Sequence, residues 1–405
     1  NAVRVGHPAR VTEKLREHTL DALIEGNEKY QESQELREKA FELKDEQDDL
    51  QHPSGRWRRG MSNEQIIEAA EEGRGSRGVP EEKIQEMAEW LEIQEEADEL
   101  FEKSERLEDE AVEEVLDSMD VVLSTNSTAG SELMQGKEFD IVVIDEATQS
   151  TEPSCMIPIT KTSKVVMAGD HRQLPPTVKS QEAQEFENSI FERLAENHPE
   201  KKTMLKTQYR MNTSIMDFSS KEFYDGELEA DNSVANHDLS ELGVSEDSVL
   251  APGKPVTFID TKNIDAVERT PEGSTSKENP REAEEVEKYV EEALEQGVNP
   301  EDIAVISPYN AQVDLLNQRI DVENLEIKTV DGFQGREKEL VIISLVRSNS
   351  RCEIGFLKDV RRLNVALTRA RRKLVVIGDS ETLEVNETYR NFIDYVKEEG
   401  GLKEL

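Results

Sequence analysis

Short apolar runs that end in polar residues recur along this chain and constrain its fold more than any other feature. From Val121 onward they alternate with helical and loop-forming segments, as at residues 121–123, 141–144 and 165–167. This alternation is typical of a parallel sheet whose strands are connected by helices. The sequence therefore predicts an α/β fold, in which ligands bind beyond the carboxyl ends of the strands.

A second group of apolar runs predicts a second sheet. The strands are expected at residues 256–259, 303–306, 327–330, 340–345 and 374–377. We predict two parallel-sheet domains, the first at residues 1–180 and the second at residues 181–405.

Residues 11–118 interrupt the first predicted domain with a helical, glutamate-rich pattern. One helical stretch runs to about residue 51 and another from Pro80 to about residue 118, with Pro80 in the first helical turn. Between them Ser62-Asn63-Glu64-Gln65 is a capping-box pattern for a short helix. The pattern predicts a long antiparallel helical hairpin inserted into the first domain.

The predicted tip of this hairpin is basic, with Arg56-Trp57-Arg58-Arg59 on one side and Arg74-Gly75-Ser76-Arg77 on the other. Two interpretations stay open at this point. The tip contacts phosphate and stacks on a base, or it is a solvated hairpin end with one packed tryptophan.

The composition is strongly acidic. Asp and Glu number 89 against 49 Lys and Arg, a formal net charge of −40, and hydrophobic residues make up only 35%. A folded chain of this kind carries its acid on the surface, which suits a cytoplasm with molar salt, where charges are screened within about 3 Å. We therefore hypothesise a halophilic source and expect a cytoplasmic protein, since no run of about 18 apolar residues is present to span a membrane.

Two acidic residues, Asp145 and Glu146, follow the run at 141–144. At a strand end the first carboxylate can hold Mg²⁺ while the second orients and deprotonates an attacking water. Gln173 follows the next run, within a segment rich in Gly and Pro, and its neutral amide can sense a γ-phosphate. Two acidic residues after a strand, taken alone, mark a capped strand end about as often as a catalytic site. The other motifs therefore decide between these two interpretations.

Three further motifs lie in the second predicted domain. Tyr209 and Arg210 place an aromatic ring beside a guanidinium group, which suits adenine stacking and a phosphate contact. Gly335 and Glu337 lie in a glycine-bearing turn where backbone N–H groups can approach an anion. Arg369 lies in the segment 361–371; if that segment is helical, Arg369 shares a face with Arg362 and Val365 and one arginine of that face can act as an arginine finger.

Taken in order, these blocks resemble the motifs of the superfamily 1B helicases related to the nonsense-mediated-decay helicase. The resemblance is strongest to the immunoglobulin mu-binding-protein type and its archaeal relatives, through residues 4–10, 307–316 and 331–338. It covers nearly the whole chain, from residue 4 to about 380. It implies two RecA-like domains, the first incomplete here, that bind ATP between them and step along a single strand with 5′ to 3′ polarity.

The resemblance also implies roles for individual residues. Asp145 would be the Mg²⁺ acid, Glu146 the catalytic base and Gln173 the γ-phosphate sensor. Tyr209 would stack on adenine, Arg210 and Arg369 would contact phosphates, and Glu337 would hold the ribose or couple to the arginines. The residues expected to face the nucleic-acid backbone are Ser124, Thr125, Asn126, Pro308, Tyr309, Asn310 and Thr329.

One departure from the family pattern is decisive for activity. The chain contains no GxxxxGK[ST] loop, whose amides and lysine cradle the β- and γ-phosphates. We expect that this loop is absent by truncation and that the chain alone hydrolyses ATP poorly. The alternative is a non-catalytic fragment that binds nucleic acid or protein. Expected partners are single-stranded or partly duplex DNA or RNA, and the expected state is a monomer without membrane contact.

Overall fold

The computed structural model describes residues 1–6, 11–178 and 180–405. Residues 7–10 of the motif at 4–10 therefore lie outside the described residues. Contacts divide the rest into two compact units, Asn1–Phe139 with Ile157–Thr162, and Asp140–Met156 with Ser163–Leu405. Residues 140–156 and 163–178 of the first predicted domain thus group with the second unit.

The first unit is dominated by the predicted helical hairpin. Its strands and helices are β1 (Ala2–Arg4), α1 (Leu20–Ile24), α2 (Glu28–Asp48), α3 (Gly55–Arg58), α4 (Asn63–Glu71), α5 (Glu81–Asp117), β2 (Val121–Leu123) and α6 (Asn126–Ala129). Helix α5 begins at Glu81 with Pro80 as its N-cap, one residue outside the predicted first turn. The capping box at Ser62 and Gln65 is formed as predicted.

Helices α2 and α5 pack closely because small residues lie between them. Ala40 and Ala97 are fully buried, and the hydroxyl groups of Ser33 and Ser104 face each other at 3.2 Å. Ion pairs add cross-links at the margins, such as Arg37 Nη2 to Glu108 Oε2 at 2.9 Å. At the base of the hairpin, β1 and β2 pair in parallel.

The second unit contains one large sheet and two short strand pairs. Its strands are β3 (Val142–Ile144), β4 (Val165–Met167), β5 (Thr207–Gln208), β6 (Glu229–Ala230), β7 (Val256–Asp260), β8 (Ile303–Ser307), β9 (Glu326–Thr329), β10 (Lys338–Ser344), β11 (Ala370–Gly378) and β12 (Leu402–Glu404). Its helices are α7 (Glu152–Ile159, which ends in the first unit), α8 (Ile190–Asn197), α9 (Thr213–Phe223), α10 (Pro280–Glu295), α11 (Asn310–Arg319), α12 (Arg361–Leu367), α13 (Ser380–Leu383) and α14 (Glu387–Glu398).

The large sheet is parallel throughout, in the order β12-β7-β11-β10-β8-β9. Strands β7, β8, β10 and β11 are almost completely buried, because apolar clusters cover both faces of the sheet. Each of the five strands predicted for the second domain is present within a few residues of its predicted bounds. The predicted α/β class with parallel sheets and a long helical insertion is confirmed.

Strands β3 and β4 form a separate parallel pair, with Val143 opposite Val166. These two side chains are 64% and 46% exposed, whereas parallel strands in α/β proteins are normally covered on both faces. The short pair nevertheless fixes the position of the polar residues that follow each strand. Among the described residues, no helix has the length and apolar character needed to cross a bilayer.

Candidate active site

The acidic pair follows β3 on a strained turn. Asp145 and Glu146 are both exposed, and Glu146 adopts the left-handed conformation with φ of 51° and ψ of 39°. A residue with a side chain pays roughly 1–2 kcal/mol for that conformation, so the surroundings must hold it. Asp145 Oδ1 accepts from the Glu146 amide at 3.0 Å, and Gln149 Nε2 donates to Glu146 Oε2 at 2.6 Å. Both carboxylates are thereby ordered while facing solvent.

Gln173, after β4, is oriented by a chain of hydrogen bonds. Its Nε2 donates to Asp170 Oδ2 at 2.8 Å, and the Tyr224 hydroxyl donates to the same oxygen at 2.6 Å. Asn364 Nδ2 in turn donates to the Tyr224 hydroxyl at 2.8 Å. Burial and the Asp170 carboxylate raise the pKa of Tyr224, so that it stays a donor. Because Asp170 holds the amide nitrogen of Gln173, the carbonyl oxygen Oε1 is left for another group.

The group that contacts Gln173 Oε1 is Arg369, whose side chain is only 2% exposed. Its Nη2 lies 3.5 Å from Gln173 Oε1, and its other donors contact the Val365 carbonyl at 2.9 Å, the Arg336 carbonyl at 3.3 Å and Thr368 Oγ1 at 2.9 Å. Burial and repulsion from Arg210 lower the pKa of Arg369 to about 10. No ion pair to a carboxylate forms at Arg369 within the described part of the chain.

The backbone around Arg369 differs from the sequence-based expectation. Helix α12 ends at Leu367, so Arg369 lies beyond the helix, directly before β11. The idea that it shares a helical face with Arg362 and Val365 is therefore wrong. Its guanidinium group is instead positioned by the last turn, through the bond from Nε to the Val365 carbonyl.

Arg210 and Glu337 form an ion pair next to Arg369. Arg210 Nε contacts Glu337 Oε2, and its Nη1 donates to the Thr368 carbonyl at 3.1 Å. Glu337 is thus coupled to an arginine, one of the two roles expected from the resemblance. The neighbouring Tyr209 is 66% exposed, which leaves its ring accessible for stacking.

The turn after β9 has the predicted glycine character. Gly335 has φ of +76°, a conformation that favours glycine, and open space surrounds the position of a Cβ atom. The adjacent Gln334 buries an Nε2 atom that has no hydrogen-bond partner within the described structure. A buried amide of this kind costs free energy unless a ligand or water accepts from it.

The charges of this site suit an anionic ligand. Within the described residues Arg369 is buried without a carboxylate partner, and the carboxylate that pairs with Arg210, Glu337, is shared with Arg371 at 3.8 Å. A buried guanidinium group of this kind is stabilised by an anion such as a phosphate, which it can bind through several donors. The residues present therefore fit a nucleoside triphosphate.

Asp145 is the carboxylate that would hold Mg²⁺ in this site. No cluster of three or more His, Cys, Asp or Glu residues with metal-binding geometry occurs among the described residues. Mg²⁺ in nucleotide sites is typically held by one or two carboxylates, with phosphate oxygens and waters completing its coordination. An exposed Asp145 on an ordered turn is compatible with that arrangement.

The residues expected to contact nucleic acid have unequal exposure. In the first unit, Ser124 and Thr125 are exposed after β2, and Thr125 caps α6 by accepting from the Thr128 amide at 3.2 Å. Asn126 is half-buried as the first residue of that helix.

In the second unit, Asn310 is exposed, Pro308 and Thr329 are half-buried, and Tyr309 is only 3% exposed. The Tyr309 ring instead supports Phe356, with ring centroids 5.6 Å apart, and Phe356 is 62% exposed. The accessible aromatic surface at this position is therefore that of Phe356.

Sequence inspection missed three residues that organise the site. Asp170 and Asn364 lie inside quoted motifs without an assigned role, and Tyr224 lies in none. Asp170 holds Gln173 from three residues away, whereas Tyr224 and Asn364 act on this segment through contacts across 54 to 192 positions of sequence. No local pattern identifies partners as distant as Tyr224 and Asn364, and the only signal in the sequence was the polar residue types within those motifs.

The fold and the site together define a class: an α/β protein in which Gln173, after a short strand, lies beside Arg369 of a second sheet. Comparison with known proteins identifies the family within this class. Two family models, each described as an AAA domain, match residues 1–181 and 186–381. An uncharacterized ATP-dependent helicase of Methanocaldococcus jannaschii is 45% identical over 402 residues, which cover 98% of this chain and 59% of that protein.

Two further relatives are eukaryotic. DNA-binding protein SMUBP-2 of Mesocricetus auratus is 38% identical, with 99% of this chain and 38% of that protein covered. DNA polymerase alpha-associated DNA helicase A of Schizosaccharomyces pombe is 35% identical, with 98% of this chain and 56% of that protein covered. The chain spans between 38% and 59% of the length of these curated relatives.

Among solved structures, the arterivirus nonstructural protein 10 helicase matches with a TM-score of 0.34 and 14% identity, over 68% of this chain and 45% of that one. The sequence relatives and the two family models agree with the motif order. The chain belongs to the superfamily 1B helicases, of the immunoglobulin mu-binding-protein type and its archaeal relatives. The resemblance identified from the motifs is confirmed, and the two parallel-sheet regions are RecA-like.

Proposed function

We propose that this chain carries most of the ATPase centre of a superfamily 1 helicase or translocase that moves along single-stranded RNA or DNA. The observation that carries the proposal is the buried guanidinium group of Arg369, which contacts Gln173, is repelled by Arg210 and forms no ion pair with a carboxylate among the described residues. A site built to balance such a charge with a bound phosphate would bind and release nucleotide without a competing internal ion pair.

Each residue has a task in this proposal. Glu146 orients the attacking water and accepts its proton, and Gln173 positions that water or senses the γ-phosphate. Arg210 and Arg369 stabilise negative charge on the transferring phosphate, and Tyr209 stacks on adenine. Asp145 would hold Mg²⁺, which neutralises phosphate charge when bound.

Binding of a single strand would use the polar residues that follow the strands of each unit. Those residues are Ser124, Thr125 and Asn126 in the first unit and Pro308, Asn310 and Thr329 in the second, with the ring of Tyr309 acting through Phe356. We propose that the protein acts as a cytoplasmic monomer, which sedimentation at several concentrations can check.

A second candidate function rests on one specific observation. The chain lacks GxxxxGK[ST], and without the amides and lysine of that loop the β- and γ-phosphates are poorly held. The chain by itself would then bind nucleic acid or protein without efficient hydrolysis. Stimulation of ATP hydrolysis by single-stranded RNA or DNA, measured on the 405-residue chain, would exclude this candidate.

The catalytic assignment is tested in a form of the protein that also carries a phosphate-binding loop. Glu146→Gln should reduce turnover by at least about a hundredfold and spare ATP binding, because only proton acceptance is lost. Glu196→Gln, at an exposed position on α8, is the matched control and should leave turnover unchanged. Undiminished turnover in the Glu146 variant would defeat the assignment.

A further inference from the structure

The tip of the helical hairpin concentrates positive charge in a chain of net charge −40. Residues 52–63 and 73–79 contain five arginines and no acidic residue. Four of them are exposed, namely Arg56, Arg59, Arg74 and Arg77, and Arg58 is half-buried. The tip is therefore positively charged, whereas the shaft of the hairpin, formed by α2 and α5, is rich in glutamate.

Two of these arginines are locked together by crossed hydrogen bonds. Arg59 Nη1 donates to the Arg77 carbonyl at 3.0 Å, and Arg77 Nη1 donates to the Arg59 carbonyl at 3.1 Å and the Gly60 carbonyl at 2.7 Å. Both residues have positive φ, 43° for Arg59 and 51° for Arg77. The backbone is thus held in an uncommon conformation at both positions where the guanidinium groups cross.

Glycine makes this crossing possible. A Cβ atom at Gly78 would come within 2.8 Å of Arg59 Nη1, and one at Gly60 within 3.3 Å of Arg77 Nη1. Each guanidinium group therefore lies against the glycine that follows the other arginine. The arrangement fixes two cations side by side at the hairpin end, at the cost of their mutual repulsion.

These cations are not neutralised by the nearest acids. In the described structure only Arg74 forms an ion pair, with Glu72, although helix α4 supplies several glutamates close by. Arg58 bonds to Asn63 and the Met61 carbonyl. Arg77 also donates from Nη2 to Gln65 Oε1. Since a guanidinium group has five N–H donors and carbonyl oxygens accept at most three bonds from either arginine of the crossed pair, donors remain for a further acceptor.

The tryptophan of this segment positions an arginine. Trp57 packs against a small apolar cluster that includes Met61, Ile66 and Val79, and Arg56 lies over its ring at 5.1 Å from the centroid. The ring is thus partly buried on the protein side and covered by a cation. Of the two interpretations drawn from the sequence, the packed tryptophan agrees with this structure. A phosphate contact at the tip would therefore be made by the arginines.

We propose that this tip is a second nucleic-acid site, which binds the phosphate backbone of a single strand through Arg56, Arg59, Arg74 and Arg77. Fixed guanidinium forks suit phosphate oxygens, and a cluster without sequence-reading groups suits a sequence-independent contact. Helix α5 has 37 residues and is therefore about 55 Å long, so the tip extends the contact to a point remote from the base of the hairpin. The site lies wholly in the first unit and does not depend on the proposed ATPase centre.

The test measures binding of a fluorescein-labelled 20-nucleotide oligo-U to the whole 405-residue chain over a KCl series. Arg56→Gln with Arg74→Gln removes two exposed charges outside the crossed pair and should weaken binding roughly tenfold at low salt. It should also reduce the slope of log Kd against log salt by about 1.4, since each phosphate contact on a single strand contributes about 0.7. The matched control is Lys39→Gln with Arg106→Gln, two exposed positions on the shaft, and should change neither quantity appreciably.

A second variant tests the crossed geometry. Arg59→Lys with Arg77→Lys keeps the charge but removes the forks, and should weaken binding while circular dichroism shows the helices intact. Binding equal to that of the unmodified chain would overturn the role of the crossed pair, and a tip variant equal to the shaft control would overturn the site. Competition by poly-glutamate as effective as that by unlabelled oligo-U would overturn the nucleic-acid assignment in favour of an acidic protein partner.

Discussion

At the scale of single residues, Arg369 shows how the burial of a charged side chain indicates its role. Its guanidinium group is held by backbone carbonyls and by Gln173, and its pKa is lowered to about 10 by burial and by Arg210. Those contacts fix position without neutralising the charge. Under the proposed function, a bound phosphate would supply the neutralising charge.

This argument predicts the effect of a conservative substitution. In the form that carries a phosphate-binding loop, Arg369→Lys should lower kcat by about a thousandfold, the loss typical of an arginine finger, and change KM little. Lysine keeps the charge but loses the planar fork that Val365 and Arg336 position. Arg390→Lys, at an exposed position on α14, is the control. A loss of thermal stability that matches the loss of kcat would instead indicate a structural role.

Lys373 gives a prediction about pH. It is 1% exposed on β11, where Nζ donates to Thr257 Oγ1 at 2.9 Å and to the Lys254 carbonyl, and burial lowers its pKa to about 7. Between pH 7 and 10.5 the unfolded chain binds a proton that the folded chain lacks, so the free energy of unfolding rises with pH across that window. The slope from this residue is at most about 1.4 kcal/mol per pH unit.

Lys373→Met isolates this contribution because methionine is similar in length and uncharged. The variant should be more stable than the unmodified chain at pH 7, and the difference should shrink as the pH approaches 10.5. Urea unfolding at several pH values measures it. A difference that stays constant with pH would show that Lys373 does not titrate in this way.

At the scale of elements, the hairpin is held by an unusual interface. Ser33 and Ser104 are both fully buried and satisfy each other at 3.2 Å, in place of a large apolar pair. Ser33→Ala should therefore destabilise the hairpin by about 1 kcal/mol, because the remaining hydroxyl group loses its partner. The double variant Ser33→Ala with Ser104→Ala should be nearly neutral, so a double-mutant cycle should give a clear coupling energy. Strictly additive effects would contradict the pairing.

The elements also show what could be predicted from the sequence. Strands β3, β4 and β7 to β11 were located because each contains a short apolar run, which is a local signal even where the strand stays partly exposed, as in β3 and β4. The end of α12 was misjudged because Arg369 continues a helical spacing, while its backbone already leads into β11. Tyr224 and Asn364 were missed because their role depends on contacts with Asp170 and Arg172, which no periodicity reports. Motif residues could be named from sequence, whereas the groups that orient them required the fold.

At the scale of the whole molecule, charge is the dominant property. A formal charge of −40 on 405 residues implies strong self-repulsion in dilute buffer. Ion pairs such as Lys29 with Glu110 at 2.7 Å offset only a part of it. Helix α5 has a row of exposed glutamates for which no ion pair is found among the described residues, namely Glu95, Glu99, Glu102 and Glu105. The acidic shaft is therefore the region where screening by salt should matter most.

We accordingly expect the melting temperature to rise steeply between 0.1 and 2 M KCl, because the Debye length falls from about 10 Å to below about 3 Å and the repulsion between carboxylates is removed. Replacing Glu95, Glu99, Glu102 and Glu105 with glutamine should raise the melting temperature at low salt and make its dependence on KCl less steep. Sucrose at matched osmolality controls for general exclusion of solute, and should not reproduce the effect of KCl. A melting temperature that does not change with KCl would reject both the role of repulsion and the hypothesis of a halophilic source.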